Sequence, residues 1–174
     1  MRRICVDMDE VLADALGEHL RLYNRDYGTN LTKADLKNRW LTDAVPEDRR
    51  VAVTEYLHTA EFFAELEVMQ DSQRVMQLLA EKYEVFVASA ATAFPNSFGP
   101  KFRWMKRHFP WVPAARIVFC GDKSILSADW LIDDMPWNLE RFQGDGILYT
   151  SPHNIGVTEW RRVDNWRQIE EIFL

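Results

Sequence analysis

Five short apolar runs, separated by stretches with helical spacing, constrain the fold of this chain most strongly. The runs are residues 4–6 (ICV), 85–90 (VFVASA), 116–120 (RIVFC), 130–134 (WLIDD) and 146–150 (GILYT). Apolar runs this short are typical of strands that are buried on both faces of a parallel sheet. Strands that alternate with helices predict an α/β fold with a parallel sheet at its core.

One helical stretch is much longer than the others and lies between the first two strands. Its first helix is predicted from apolar residues at three- and four-residue spacing, namely Leu12, Leu16, Leu20, Tyr23 and Tyr27. Asp14 is expected to cap this helix and Gly28 to end it. Shorter helices are expected after Thr32 and after Pro46. We therefore predict an α/β core of residues 1–14 and 71–174, with residues 15–70 forming a small helical cap inserted after strand 1.

Composition limits the classes of partner. The 174 residues carry a formal net charge of −6 and are 47% hydrophobic, which suits one globular domain and opposes a nonspecific grip on polymeric nucleic acid or an anionic membrane. Asp7 and Asp9 interrupt the first apolar run, so no signal peptide is expected. Cys5 and Cys120 are expected to be reduced and buried, and the protein to be cytoplasmic.

Chemistry-bearing side chains gather where the predicted strands end. These are Asp7 and Asp9 after strand 1, Ser89 at the end of strand 2, Lys123 after strand 3, and Asp133 and Asp134 at the end of strand 4. Ligands bind beyond the carboxyl ends of the strands in open α/β sheets. Several carboxylates around one crevice are costly unless a cation neutralises them. Oxygen ligands favour a hard ion, so a Mg²⁺ site is predicted.

Four motifs in order resemble the haloacid-dehalogenase-like (HAD) phosphatases. VDMDEVLAD resembles their D-x-D-x-[TV] signature, VFVASA their apolar strand ending in Ser or Thr, Lys123 their third motif and LIDD their acidic fourth. The segments EFFAELE, KFRW and DKSILSADWLIDD further resemble the 5'(3')-deoxyribonucleotidases. This resemblance implies a HAD-like Rossmannoid three-layer sandwich with the helical cap described above.

The resemblance also implies catalytic roles for three residues. Asp7 would be the nucleophile that forms an aspartyl-phosphate. Asp9 would be the general acid and base, since residues two apart point to the same side on leaving a strand. Lys123 would neutralise charge that develops on the phosphoryl group.

Metal and phosphate ligands follow from the same resemblance. Mg²⁺ would be held by the Asp7 carboxylate, the Asp9 main-chain carbonyl and Asp134, while Asp133 would orient a metal-bound water or Lys123. The phosphoryl oxygens would be bound by Ser89 and the Ala90 amide. Lys101 matches a lysine of the nucleotidases and is expected to be a second cation near the phosphate.

The predicted cap supplies aromatic residues for the base. Trp40 and Phe62, with Phe63 beside it, lie where the nucleotidases place rings over the base, although Phe62 and Phe63 fit the interior of the cap equally well. Arg39 is expected to be exposed. Met135 stands where animal relatives look basic, which leaves the base and sugar preference open. For His153 and Asn154 a structural hydrogen bond is expected.

The sequence thus predicts a Mg²⁺-dependent phosphomonoesterase that acts on nucleoside 5'-monophosphates, with deoxyribose forms favoured. One alternative keeps the chemistry and changes the substrate to another small phosphoester such as a sugar phosphate. The other alternative is a non-catalytic nucleotide-binding module. The presence of the complete catalytic set argues against it, namely Asp7, Asp9, Ser89, Lys123 and Asp134. The aromatic residues leave a homodimer interface possible as well.

Overall fold

A computed structural model describes residues 1–174 and contains six strands. They are β1 Arg3–Asp7, β2 Glu84–Ser89, β3 Ile117–Phe119, β4 Trp130–Asp133, β5 Asp145–Tyr149 and β6 Arg161–Val163. All pair in parallel into one sheet of order β3-β2-β1-β4-β5-β6. The predicted α/β fold with a parallel sheet core is confirmed.

Seven α-helices connect or flank these strands. They are α1 Ala15–Tyr27, α2 Leu41–Ala44, α3 Arg50–Tyr56, α4 Ser72–Lys82, α5 Phe98–His108, α6 Pro136–Arg141 and α7 Trp166–Phe173. None of them combines the length and the apolar character that crossing a bilayer would require.

Both faces of the sheet are covered, which explains the continuous apolar runs. Along β1, Ile4 and Val6 belong to the large core cluster, which also takes buried residues from α4, α5 and α7. Cys5 points the other way, into a second cluster with Leu139 of α6 and Phe142. Helices therefore lie on each side of the sheet, as in a three-layer sandwich.

The segment between β1 and α4 contains helices and turns and no strand of the sheet. It has its own small apolar cluster, which consists of Leu20, Tyr23, Leu36, Leu41, Val45 and Val53. Phe62 and Phe63 instead join the large core cluster and are each 2% exposed. The division into a core and a cap at residues 14/15 and 70/71 stays a prediction.

The helix termini test the local expectations. Asp14 caps α1, since its Oδ1 accepts from Gly17 N at 2.7 Å, and Gly28 ends the helix at a left-handed φ of 61°. Leu12 lies before the helix, not within it. Asn165 caps α7, since its side chain accepts from the main-chain N–H groups of Arg167 and Gln168.

The sheet order places the predicted site. β1 lies between β2 and β4, and the chain connection changes direction there, which is the point where α/β sheets open a crevice. Register pairs Asp7 of β1 with Ala88 of β2, and Val6 with Ile132 of β4. The carboxyl ends of these three strands therefore meet, and with them Asp7, Ser89 and Asp133.

Candidate active site

Lys123 connects two of the strand-end carboxylates. It lies on a short 3-10 turn after β3 and is 1% exposed. Its ammonium group forms ion pairs with Asp7 and with Asp133 Oδ2, the second at 2.6 Å. Asp133 also accepts from Met135 N at 2.9 Å and from Asn138 Nδ2 at 3.1 Å. Burying charges is costly, and these reciprocal contacts offset much of that cost.

Lys101 forms a second ion pair, with the carboxylate that follows β1. It comes from α5, is 1% exposed, and its Nζ pairs with Asp9 and donates to Ser89 Oγ at 2.9 Å. The same nitrogen lies 4.5 Å from the centre of the Phe63 ring. Lys101 thereby joins the residue two positions after Asp7 to the end of β2. The sequence places it near the phosphate, and the structure brings it to the predicted acid.

Asp134 offers a carboxylate oxygen that the protein does not satisfy. Its side chain is 2% exposed, and Oδ2 is buried without a hydrogen-bond partner. His153 Nε2 lies 3.3 Å from that oxygen but makes its hydrogen bond to the main-chain carbonyl of Asp134, at 3.1 Å. Asn154 Nδ2 donates to the same carbonyl at 2.7 Å. The structural hydrogen bonds expected for His153 and Asn154 are thus confirmed, and they fix the main chain of Asp134.

The chain's own carboxylates fit a divalent cation. Oxygens of Asp7, Asp133 and Asp134 all lie within 4.8 Å of one another, and all three residues are buried. Asp133 is already engaged by Lys123 and Asn138, whereas Asp134 Oδ2 has no partner. The orphaned oxygen and the all-oxygen donor set suit a hard ion such as Mg²⁺.

Burial and mutual repulsion perturb the ionisation of this cluster. Burial raises the pKa of Asp7 to about 7, against the opposing pull of Lys123. Burial, followed by the charges of Asp7 and Asp133, also raises the pKa of Asp134 well above its ordinary value. Burial alone would lower the pKa of Lys123, but Asp133 and Asp7 outweigh it and raise that pKa. Lys123 therefore stays cationic, and a second positive charge is needed to hold the carboxylates ionised together.

A cavity of about 370 Å³ opens above these groups. Its charged lining, which we call the polar end, consists of Asp7, Asp9, Lys101, Lys123 and Asp134. Its apolar and aromatic lining, which we call the aromatic end, comes from the helical segment and from the turn after β2 and includes Leu16, Trp40, Leu41, Leu57, Phe62, Phe63 and Phe94. A cavity lined by both charged groups and flat rings suits a molecule that has an anionic group and an apolar planar group.

Several predicted binding residues take different positions around this cavity. Ala90 lines it, whereas the Ser89 side chain is 1% exposed and hydrogen-bonded to Lys101. Trp40 is 41% exposed, lines the cavity and stacks on the His153 ring at 4.1 Å between centroids. Arg39 is exposed, as expected, and donates to the main chain of its own turn. Phe62 lines the cavity, and it is buried in the large core cluster and not in the cluster of the helical segment, so its contact with the base stays a prediction.

Sequence reasoning missed several residues that line the cavity, among them Glu10, His19 and Trp137. Glu10 has a φ of 62° and is 7% exposed, and it accepts from Leu16 N at 2.6 Å and Ser151 Oγ at 3.2 Å. Its position directly after D-x-D was a signal that could have found it. His19 and Trp137 give no such signal, because each reaches the cavity only through the packing of its helix.

Comparisons with known proteins are consistent with this geometry. A family model described as "5' nucleotidase, deoxy (Pyrimidine), cytosolic type C protein" matches residues 1–174. A Staphylococcus aureus protein named "Putative 5'(3')-deoxyribonucleotidase" is 40% identical over 173 residues, which cover 99% of this chain and 96% of the relative. The 5'(3')-deoxyribonucleotidase of Bacillus subtilis is 37% identical over 172 residues, with 98% of each chain covered.

Solved structures share the fold at low sequence identity. The "putative HAD-hydrolase YfnB" from Bacillus subtilis, in a magnesium-bound form, has a TM-score of 0.61 at 12% identity, covering 99% of this chain and 98% of its own. A HAD-superfamily hydrolase from Geobacter sulfurreducens has a TM-score of 0.59 at 11% identity, covering 99% of both chains. Likeness at this level shows the fold, and the fold is the HAD-like one that the sequence motifs predict.

Proposed function

Since this chain belongs to the family of cytosolic type C deoxy 5' nucleotidases and is a phosphatase, we propose that it hydrolyses nucleoside 5'-monophosphates to nucleoside and phosphate. Deoxyribose forms are favoured, and Mg²⁺ is required. The observation that carries the proposal is the cavity itself, which is lined by the buried Asp7 and Lys123, by the partly buried Asp9 and by a wall of aromatic rings. The polar end suits a phosphate monoester, and the aromatic end suits a base.

Asp7 is the proposed nucleophile. Its carboxylate attacks phosphorus and displaces the nucleoside oxygen, which splits one difficult hydrolysis into two easier displacements. Lys123 holds Asp7 by an ion pair and keeps a positive charge beside the attacked phosphoryl group. Asp133 forms a second ion pair with Lys123 and so fixes the orientation of its ammonium group.

Asp9 is the proposed acid and base. As the carboxyl two residues after the nucleophile, it gives a proton to the leaving oxygen and then takes one from the water that attacks the acyl-phosphate. Lys101 contacts Asp9 and Ser89 and so anchors this carboxyl beside the end of β2. Asp9 lines the cavity, and its Oδ1 has no hydrogen-bond partner in the protein, which leaves that oxygen free for proton transfer.

Mg²⁺ would be held by Asp7, Asp134 and the main-chain carbonyl of Asp9. When bound, the ion would neutralise the carboxylates and the phosphate oxygens so that an anion can attack an anion. The unpartnered Oδ2 of Asp134 and the raised pKa values of Asp7 and Asp134 support this assignment. Asp133 would not bind the ion directly, because its carboxylate contacts Lys123 and Asn138 instead.

Phosphate release from a substrate panel tests the proposal. The panel contains ribo- and deoxyribonucleoside monophosphates together with sugar phosphates, each assayed with Mg²⁺ and with a chelator. The expected result is chelator-sensitive release that is fastest with deoxynucleotides. Activity confined to sugar phosphates would contradict the proposed substrate. It would still agree with the proposed roles of Asp7 and Asp9.

A further inference from the structure

His19 is a titratable side chain in the cavity wall that the proposed chemistry does not use. It lies on α1 and is 7% exposed. Its ring meets Phe62 and Tyr56 edge-on, with centroids 5.6 Å and 6.0 Å apart. These contacts hold the imidazole in one orientation.

The hydrogen bond to Val53 fixes which nitrogen carries the hydrogen. His19 Nε2 lies 2.8 Å from the main-chain carbonyl oxygen of Val53 on α3. A carbonyl only accepts, so Nε2 is the donor. The carbonyl is available because Leu57 N donates to Thr54 O at 3.1 Å, whereas a regular helix would direct it to Val53 O. Burial lowers the pKa of His19, which favours the neutral ring.

The other nitrogen, Nδ1, is an acceptor without a partner in the protein. The buried side-chain atoms that lack a partner are Asp9 Oδ1, Ser72 Oγ, Ser97 Oγ, Trp111 Nε1 and Asp134 Oδ2. His19 Nδ1 makes no hydrogen bond and is absent from that group, so it is accessible. Because His19 is nearly buried and lines the cavity, the accessible atom faces the cavity.

The surroundings of His19 make a lone acceptor selective. From the helical segment, the cavity wall otherwise consists of apolar and aromatic residues and Thr42, the apolar neighbours including Leu16, Leu41 and Leu57. A polar atom in such a wall binds a ligand well only when the ligand supplies the complementary group.

We propose that His19 Nδ1 accepts a hydrogen bond from an N–H group of the substrate's base, and so makes the cavity select nucleoside monophosphates over phosphates that lack a base. The inference rests on the proposed function and adds a specificity-determining residue to it. Every common nucleobase carries an N–H donor on its pairing edge. A sugar phosphate has no base and therefore offers no base N–H group to this acceptor.

Two substitutions of His19 separate the two nitrogens. His19→Gln keeps an amide N–H that reaches toward Val53 and removes the acceptor at Nδ1. His19→Asn places an amide oxygen near the Nδ1 position and gives up the contact with Val53. Each variant and the wild type are assayed with deoxynucleoside 5'-monophosphates and with 2-deoxyribose 5-phosphate, and thermal unfolding is measured first.

The expected result is a change in selectivity. His19→Gln lowers kcat/KM for nucleotides about tenfold, mainly through KM, and leaves 2-deoxyribose 5-phosphate unchanged. In His19→Asn, kcat/KM for nucleotides stays close to the wild-type value, because the amide oxygen replaces the acceptor. An unchanged ratio between the two substrate classes in His19→Gln, or an equal loss with both, would overturn the proposal, because a purely packing role affects both classes alike.

The result for the wild type separates this inference from the proposed function. If the wild type does not prefer nucleotides, both fail. If it prefers them and His19→Gln keeps that preference, only the inference fails. Should His19→Gln not fold, the wild type is assayed with thymidine 5'-monophosphate and its N3-methyl derivative, which lacks the base N–H. A loss of about tenfold is expected with the methylated substrate, and equal rates would overturn the inference.

Discussion

The two ends of the cavity are built in opposite ways. At the polar end, carboxylates at the carboxyl ends of strands pair with two lysines, and Lys101, Lys123 and Asp133 are each no more than 1% exposed. At the aromatic end, rings on short helices and turns make van der Waals contacts, and Trp40 is 41% exposed. Charges held by partners on rigid strands suit chemistry that needs fixed geometry, whereas rings on helices suit recognition that tolerates variation.

The sharpest way to break the polar end is Asp7→Asn. We expect turnover to fall by roughly 10⁴ to 10⁶, the range that follows removal of a covalent nucleophile. Nucleotide binding should survive, because the aromatic end is untouched. Phosphate release measures the first effect and calorimetry the second. Asp14→Asn is the matched control, since asparagine also caps a helix well. Ordinary phosphate release by Asp7→Asn would contradict the covalent route.

Asp9→Asn divides the reaction into its two halves. We expect a loss of about 10² to 10⁴ in turnover, the usual contribution of a general acid or base. The phosphorylated enzyme should accumulate, since water attack then lacks its base, and intact-mass measurement after rapid acid quench would detect the added phosphoryl group. Rapid hydrolysis without accumulation would remove Asp9 from this role.

The contrast also explains what the sequence could predict. Asp7, Ser89 and Asp133 end apolar runs, and parallel strands bring their ends together, so local pattern was enough to group them. β6 was missed because Arg161–Val163 has no apolar run. It is an edge strand in which only Val163 is buried. The structure thus has six strands where the sequence predicts five.

The aromatic end was less predictable for a physical reason. Whether a ring on a helix faces a cavity depends on how the helix packs, which a 3.6-residue pattern does not specify. His19 was therefore not predicted to line the cavity, and neither was Trp137 of α6, which is the second tryptophan in its wall. For Phe62 the sequence left open a contact with the base or a place in the cap interior; the structure puts it at the cavity wall and in the large core cluster.

Asp133→Asn tests the positioning of the polar end without touching the nucleophile. Asp133 fixes Lys123 and accepts from Asn138. Loss of a residue that orients the groups around a metal usually costs about 10- to 100-fold in metal affinity or activity. Titration of activity with Mg²⁺ would show the expected shift of the half-saturating concentration. An unchanged Mg²⁺ requirement would mean that Asp133 does not support the metal site.

Removal of the metal should make stability depend on pH. Asp7 has its pKa raised by burial to about 7 in the folded protein, and that of Asp134 is raised in the same direction. The folded metal-free state therefore binds more protons than the unfolded chain between about pH 4 and pH 7, and its stability falls as the pH rises through that window.

Mg²⁺ should reverse this loss, and most strongly at high pH. At about 100 times its dissociation constant a ligand adds about 2.7 kcal/mol to the free energy of unfolding. Protons compete for the same carboxylates, so the gain in Tm should be larger at about pH 8 than at about pH 5. Thermal unfolding with and without Mg²⁺ at both pH values measures this. Equal gains would contradict metal binding by Asp7 and Asp134.

The smallest expected effect lies at the aromatic end, in Trp40→Ala. The Trp40 ring stacks on His153 at an angle of 12°, and His153 is anchored on the main chain of Asp134, so the indole is held beside the cavity before substrate arrives. Loss of a base-stacking ring costs about 1–3 kcal/mol. We expect KM for nucleotides to rise about tenfold at nearly constant kcat, with no change for 2-deoxyribose 5-phosphate.

Trp137→Ala is the matched control for Trp40→Ala. Trp137 lines the same cavity and is 53% exposed, but no neighbouring ring packs on it. A tryptophan without such support loses more side-chain entropy when it orders on a ligand, so its removal should change KM by less than about threefold. Equal effects of the two substitutions would place the base between both tryptophans, and the contrast between a supported and an unsupported ring would then fail as the explanation of selectivity.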